Sequence, residues 1–286
     1  MHLAAHTWMR SEPLEATLAR LQKLGYHSIE LAGEPDQYPI EKTRQLLEDY
    51  GINCWGTVTV QSGKRNLIAA DPQQRRDTIE YMKAVVELSA GLGGKIVTVV
   101  PGNVGTISSQ SKPEDEWRWA VEGLREVAFF ARAREIKVGL ELLNRYETFF
   151  LNRVNQALAL ADEVGFDVGV TFDPFHLAIE EPDLVAAIRA CGSRIIDFHV
   201  ADNNRLPPGD GSFDWKAIIE AVRDTGYDGC LTVEFLPPID RTPVGDFGSK
   251  QLEEDDGSTP GLFTDKYYTE LLRRSKEVLA PFLETK

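Results

Sequence analysis

The sequence predicts an α/β protein, a single (β/α)8 barrel covering residues 1–286. Three observations carry that expectation. Short apolar runs of strand length alternate along the whole chain with longer runs of helical spacing. The alternation repeats eight times, at about 30 to 45 residues per unit; strict alternation gives a parallel sheet, and eight units close it once. Four polar residues, Glu141, Asp173, His199 and Glu234, fall at or near the ends of the last four apolar runs, the C-terminal mouth where such a barrel keeps its chemistry. A doubly wound sheet is the alternative. No Pro- or Ser-rich linker divides the chain into domains.

Each element has its own signal. Residues 3–8 form a short apolar strand; Ser11 is positioned to cap a helix over 13–24, and Gly25 ends it. Residues 28–32 are the second strand, followed by a loop with Gly33, Pro35 and Pro39 and a helix to Tyr50, closed by Gly51. The third strand spans 52–60, and Asp71-Pro72 starts a helix to about Leu92. Gly93-Gly94 releases the fourth strand, 95–100; a Gly- and Ser-rich loop then leads to a long helix over about 113–135. The fifth strand, 138–143, is nearly all apolar and is interrupted by Glu141. A helix over about 153–164 precedes the sixth strand, 168–173, and a helix over about 183–191 precedes the seventh, 194–200. A helix over 215–225 leads to the eighth strand, 230–235. Residues 237–264 are a long polar connection, the candidate for a lid over the mouth or for an oligomer contact, and the last helix ends near Leu283.

Composition narrows the partners. At 286 residues and 42% hydrophobic the chain can bury a large core. A net charge of -14 opposes nonspecific nucleic-acid binding and leaves a neutral or cation-assisted ligand. Cys54, Cys191 and Cys230 are scattered within apolar runs and read as core thiols of a reducing compartment. No run is long enough to span a membrane and residues 1–3 begin no signal peptide, so the cytoplasm is the expected location. Of the five histidines, His2 and His27 are expected at the surface, and residues 253–256 read as a solvated acidic face.

The four strand-end residues point to a metal. Three carboxylates converging at one mouth would repel and raise one another's pKa values, whereas a divalent cation nearly balances them. Mostly oxygen ligation with one imidazole suits Mn2+, Co2+ or Mg2+ better than a structural zinc. Other mouth residues have both a bland and a functional reading. His6 and Trp8 end the first strand, where they either pack or line a ligand pocket. His176 lies just past the Asp173 strand end and is read as a substrate hydrogen-bonding group. Arg205, after Asn203-Asn204, is read as a ligand contact, while Glu147 either contacts substrate or pairs with Arg145.

The segments at 140–152 (LELLNRYETFFLN), 172–181 (FDPFHLAIEE), 198–215 (FHVADNNRLPPGDGSFDW) and 233–235 (VEF) resemble the ketose 3-epimerases of the tagatose/allulose 3-epimerase group. That group belongs to the xylose-isomerase-like superfamily of sugar isomerases and AP endonucleases. The resemblance implies a (β/α)8 barrel and one divalent ion, usually Mn2+ or Co2+. It implies Glu141, Asp173, His199 and Glu234 as ligands, Glu141 and Glu234 as the acid–base pair, and Glu147, His176 and Arg205 as substrate contacts. Pro174 stands where the group usually has Thr. The chemistry is consistent: inverting a carbon beside a ketone needs a base on one face, an acid on the other and a cation to stabilise the enediolate.

The expected function is therefore C3 epimerisation of a free ketose by a homo-oligomeric enzyme. The alternative is the large subunit of a C-glycoside deglycosidase, which acts on a 3-oxo-glycoside and needs a small partner subunit. An AP endonuclease is disfavoured by the acidic charge and the few histidines. A non-catalytic sugar-binding protein is disfavoured by the intact ligand set.

Overall fold

Runs rich in Val, Ile and Thr favour strands because branched side chains pack well on a pleated surface and are crowded in a helix. In the computed structural model, which describes residues 1–237 and 264–283, eight strands pair in parallel and close in chain order. They are β1 (His2–His6), β2 (Ser28–Gly33), β3 (Asn53–Thr59), β4 (Ile96–Val99), β5 (Lys137–Glu141), β6 (Gly169–Phe172), β7 (Ile195–Val200) and β8 (Cys230–Val233), with β8 returning to β1. Closure leaves no open edge and rejects the doubly wound alternative.

Helices α1 (Leu14–Leu24), α2 (Ile40–Tyr50), α3 (Pro72–Gly91), α4 (Pro113–Arg132), α5 (Val154–Val164), α6 (Pro174–Glu180), α7 (Leu184–Cys191), α8 (Trp215–Asp224) and α9 (Asp265–Leu279) complete the described elements. Their apolar stripes, such as Ile218, Ile219 and Val222 of α8, join the core cluster together with strand residues such as Phe172 and Phe198. Gly51 ends α2 at φ +63° in open surroundings, so the left-handed backbone itself is what favours glycine there.

Three expectations change. Ser11 does not cap α1: Pro13 occupies that position with no side-chain bond, and Glu12 ties the first turns instead by accepting from Thr17 Oγ1 (2.7 Å) and from Arg20. A short helix, α6, precedes the expected one; Asp173 caps it through Oδ1 and Pro174 fills its first position, where no N–H is missed. His2 is half-buried, its Nε2 lying 2.9 Å from Cys230 Sγ, while His27 is exposed as expected. The three cysteines are buried and free. Residues 238–263, nearly all of the long eighth connection and the whole acidic run, lie outside the described residues.

The inside of the barrel is polar as well as packed. Thr98 of β4 donates to Asp197 Oδ2 of β7 (3.1 Å) and shares a hydrogen bond with Thr171 of β6 (2.8 Å), and Trp55 Nε1 donates to Asp197 Oδ1 (2.9 Å). These links join strands that are not neighbours, so they cross the interior. Gly139, two residues before Glu141, keeps this layer tight: a Cβ there would lie 2.5 Å from Thr171 Oγ1.

Candidate metal centre and active site

Glu141 ends β5, Asp173 follows β6, His199 is the penultimate residue of β7, and Glu234 follows β8. Consecutive units are neighbours in a closed barrel, so the four strand ends aim at one point. One ligand atom from each lies within 4.8 Å of the others, and all four residues are buried.

His199 stands in the middle. Its Nδ1 is 3.2 Å from Glu141 Oε1 and 3.0 Å from Glu234 Oε2. Its Nε2 faces the opposite way, 3.3 Å from Glu30 Oε2 and 3.2 Å from Asp197 Oδ2. Neither ring nitrogen has a hydrogen-bond partner among the described residues, and neither does Glu234 Oε2. Buried polar atoms are rarely left in this state, and three carboxylates with one imidazole are the donor set of a divalent cation. The residues fit such an ion.

The two glutamates differ electrostatically. Burial drives the Glu141 carboxyl up to about 7 against the pull of His199, with the Glu234 and Asp173 charges adding to the rise. Burial acts on Glu234 in the same sense, but Arg205 and then His199 outweigh it and hold that carboxyl well below its ordinary range. Burial disfavours the His199 cation, yet Glu234, Glu30 and Glu141 together hold its pKa well above the usual value.

The expected substrate contacts surround this cluster. Trp8 donates Nε1–H to Glu234 Oε1 (2.6 Å). Arg205 Nη1 donates to Asp173 Oδ2 (2.5 Å), and its Nη2 lies 3.2 Å from Glu234 Oε2. Arg205 sits at φ +61°, in a loop pinned by the Asp202 carboxylate, which accepts from Asn203 N, Gly209 N, Phe213 N and Trp215 Nε1. Its own carbonyl accepts from Leu236 N (2.7 Å), which ties the β7 loop to the β8 exit. His176 lies on α6 with Nε2 3.6 Å from Asp173 Oδ2; its Nδ1 is 2.8 Å from Asn144 Nδ2 and 3.7 Å from Glu147 Oε1. Glu147 accepts from Asn144 rather than from Arg145, which pairs with Glu180. His6 accepts from Trp8 N through Nδ1, its Nε2 has no hydrogen-bond partner among the described residues, and burial lowers its pKa to about 3.

A cavity of about 450 Å3 opens over the cluster, lined among others by His6, Trp8, Glu141, Glu147, His176, Arg205 and Glu234. Another hollow of about 420 Å3 sits at the strand starts around Trp55 and Tyr227, but among the described residues no metal-competent group lines it. Sequence reasoning passed over Glu30, Asp197 and Asn144. Glu30 and Asp197 interrupt apolar strands as Glu141 does, so the same signal was present.

Known proteins similar to this chain are mainly ketose 3-epimerases, with a 3-dehydro-D-guloside 4-epimerase of Escherichia coli, 26% identical over 223 residues (75% of this chain, 84% of that one), also among them. The family described as xylose isomerase-like TIM barrel matches residues 18–245. The D-psicose 3-epimerase of Enterocloster bolteae is 32% identical over 227 residues, which cover 75% of this chain and 74% of that protein. The L-ribulose 3-epimerase of Mesorhizobium japonicum is 29% identical over 223 residues, 77% of this chain and 75% of that one. The crystal structure of the D-psicose 3-epimerase of Clostridium cellulolyticum H10 with D-tagatose covers 100% of both chains at a TM-score of 0.85 and 23% identity, a likeness of fold.

Proposed function

We propose, on the premise that this chain belongs to the ketose 3-epimerase group of the xylose isomerase-like TIM-barrel family, that it is a divalent-cation-dependent isomerase inverting C3 of a free ketose. The observation that carries the reading is the placement of Glu141 and Glu234. Both lie against the same nitrogen of His199, on strands three apart in a closed barrel, beneath a cavity of a size suited to a small ligand.

Glu141, Asp173, His199 and Glu234 would hold the ion, which when bound stabilises negative charge developing on the substrate oxygens. One glutamate takes the C3 proton, and the electron pair moves into the C2 carbonyl to give an enediolate. The other glutamate returns a proton to the opposite face. In the ion-free protein burial raises the Glu141 carboxyl to about 7 while Arg205 and His199 hold Glu234 well below the carboxylate range, so the two glutamates are electrostatically unequal before an ion binds. Trp8 and Arg205 keep Glu234 in place; His6, Trp8, Glu147, His176 and Arg205 contact the sugar. Mn2+ is the preferred ion, with Co2+ or Mg2+ as substitutes. The chain is a single domain over 1–286 and works as a cytoplasmic homo-oligomer, without nucleic-acid or membrane partners. Among the described residues no helix is long and apolar enough to cross a membrane. The lyase alternative is not favoured, since the relatives at 29–32% identity are named as 3-epimerases and the one that acts on a 3-dehydro-glycoside is also named as an epimerase.

The test is a panel of free ketoses with Mn2+, followed by sugar chromatography. One pair of C3 epimers should interconvert, and chelator should stop it. Turnover of a 3-oxo-glycoside with no ketose interconverted would overturn the reading.

A further inference from the structure

We infer that Gln61 reads the terminal hydroxyl of a neutral ketose, the one farthest from the ketone, and so sets which sugars the site accepts; this rests on the epimerase reading above. Gln61 follows β3, which lies opposite β7 in the closed order and so across the mouth from His199. The residue is 1% exposed, and among the described residues neither its Oε1 nor its Nε2 has a hydrogen-bond partner. It lines the same cavity as Glu141, Glu234 and Arg205. Its backbone is fixed, because its carbonyl accepts from Val104 N (3.0 Å) and the preceding Val60 N donates to Tyr81 Oη (2.7 Å).

An amide offers one acceptor and two donors, and a buried amide with neither used is a costly state that a ligand relieves. Val58, Val60, Val100 and Val104 make the surrounding wall mostly apolar, and Thr59 and Ser62 add two hydroxyls to the lining. A hydroxyl both donates and accepts, so one hydroxyl can use both ends of the amide, whereas a methyl uses neither. A phosphate only accepts, so it would leave the amide oxygen facing an anion. It would also find no spare arginine or lysine among the described lining residues, since Arg205 is engaged by Asp173 and Glu234. With the reacting end of the sugar against Glu141 and Glu234, its other end points toward β3. The ligand class is an unphosphorylated ketose with a free terminal hydroxyl.

The experiment compares kcat/KM of the Mn2+-loaded protein on a ketohexose it epimerises and on the 6-deoxy sugar of the same configuration, for wild type, Gln61→Leu and Gln61→Asn. Wild type should prefer the hydroxylated sugar by roughly 10–100-fold. Gln61→Leu should erase the preference by raising KM for the hydroxylated sugar alone, and Gln61→Asn should restore part of it. Wild type indifferent to the hydroxyl overturns the inference without any variant. A preference that persists in Gln61→Leu, or an equal loss on both sugars, also overturns it, assigning Gln61 to packing. If wild type epimerises no ketose at all, it is the epimerase reading that falls, and this inference falls with it.

Discussion

The two halves of the barrel mouth follow one plan and finish differently. Strands β5 to β8 deliver Glu141, Asp173, His199 and Glu234 to a single point. Strands β1 to β4 deliver mostly uncharged groups: Thr59 and Gln61 at the end of β3, Val99 and Val100 at the end of β4, and a His6 that burial keeps neutral. Glu34, just past β2, is taken up by Arg65 at 2.7 and 2.8 Å. One arc therefore holds charge and the other holds shape. Charge concentrated on one arc fixes which end of a substrate reacts, and the uncharged arc can then discriminate among the other ends without disturbing the chemistry.

The most severe way to break the charged arc is to remove one acid–base carboxylate. Glu141→Gln and Glu234→Gln each keep an oxygen for an ion, so ion binding should remain measurable by calorimetry. Turnover should fall by roughly 10²–10⁴-fold or more. Each variant should still exchange solvent deuterium into one epimer of the pair, seen by NMR, while interconversion is lost. Wild-type product free of solvent deuterium would sink the proton-transfer mechanism for both residues at once.

The charged arc was legible in the sequence because each of its members interrupts or ends an apolar strand, and burial rarely tolerates a carboxylate without a partner. Glu30 and Asp197 break their strands in the same way, but they lie deeper in the barrel, where strand position alone does not reveal what they face. The short α6 was missed because Asp173 read only as a strand end; the Asp-Pro pair was equally the start of a helix, with the carboxylate as cap. Gln61 left no trace, since a Gln in a loop is ordinarily solvated and only the closed barrel shows it buried.

How far the charged arc extends below the mouth is tested by Asp197→Asn. Asp197 is held by Trp55 and Thr98 and lies 3.2 Å from His199 Nε2, so it orients the ring that turns Nδ1 toward Glu141 and Glu234. Carboxylates behind a ligand histidine typically contribute 10–100-fold to ion affinity, and a loss of about that size is expected by calorimetry. Glu30→Gln should lose less, because burial, with the Asp197 charge adding, pushes the Glu30 carboxyl up to about 8, so it is largely uncharged at neutral pH already. Unchanged affinity in Asp197→Asn would confine the functional charge to the mouth.

The smallest effect, and the one that separates the arcs most cleanly, is pH. Proton and ion compete for the same oxygens, so a ligand that holds a proton weakens binding. Glu141, facing His199, Glu234 and Asp173, titrates at about 7 in the ion-free protein. Below that pH it is protonated, so an ion that binds releases its proton in addition to the one given up by the His199 ring, whose pKa is held well above the usual value. The Glu141 proton should therefore add about tenfold per pH unit to the rise in affinity between pH 5.5 and 7, on top of the rise that His199 gives on both sides of pH 7. His6, on the uncharged arc, stays neutral over the whole range because its pKa is about 3, so it adds no slope. Glu141→Gln should remove that added slope and leave the His199 rise, and His6→Gln should leave both intact. Calorimetric titrations of Mn2+ at several pH values distinguish these outcomes; an added slope below pH 7 that survives Glu141→Gln would move the second titrating proton to another residue of the cluster.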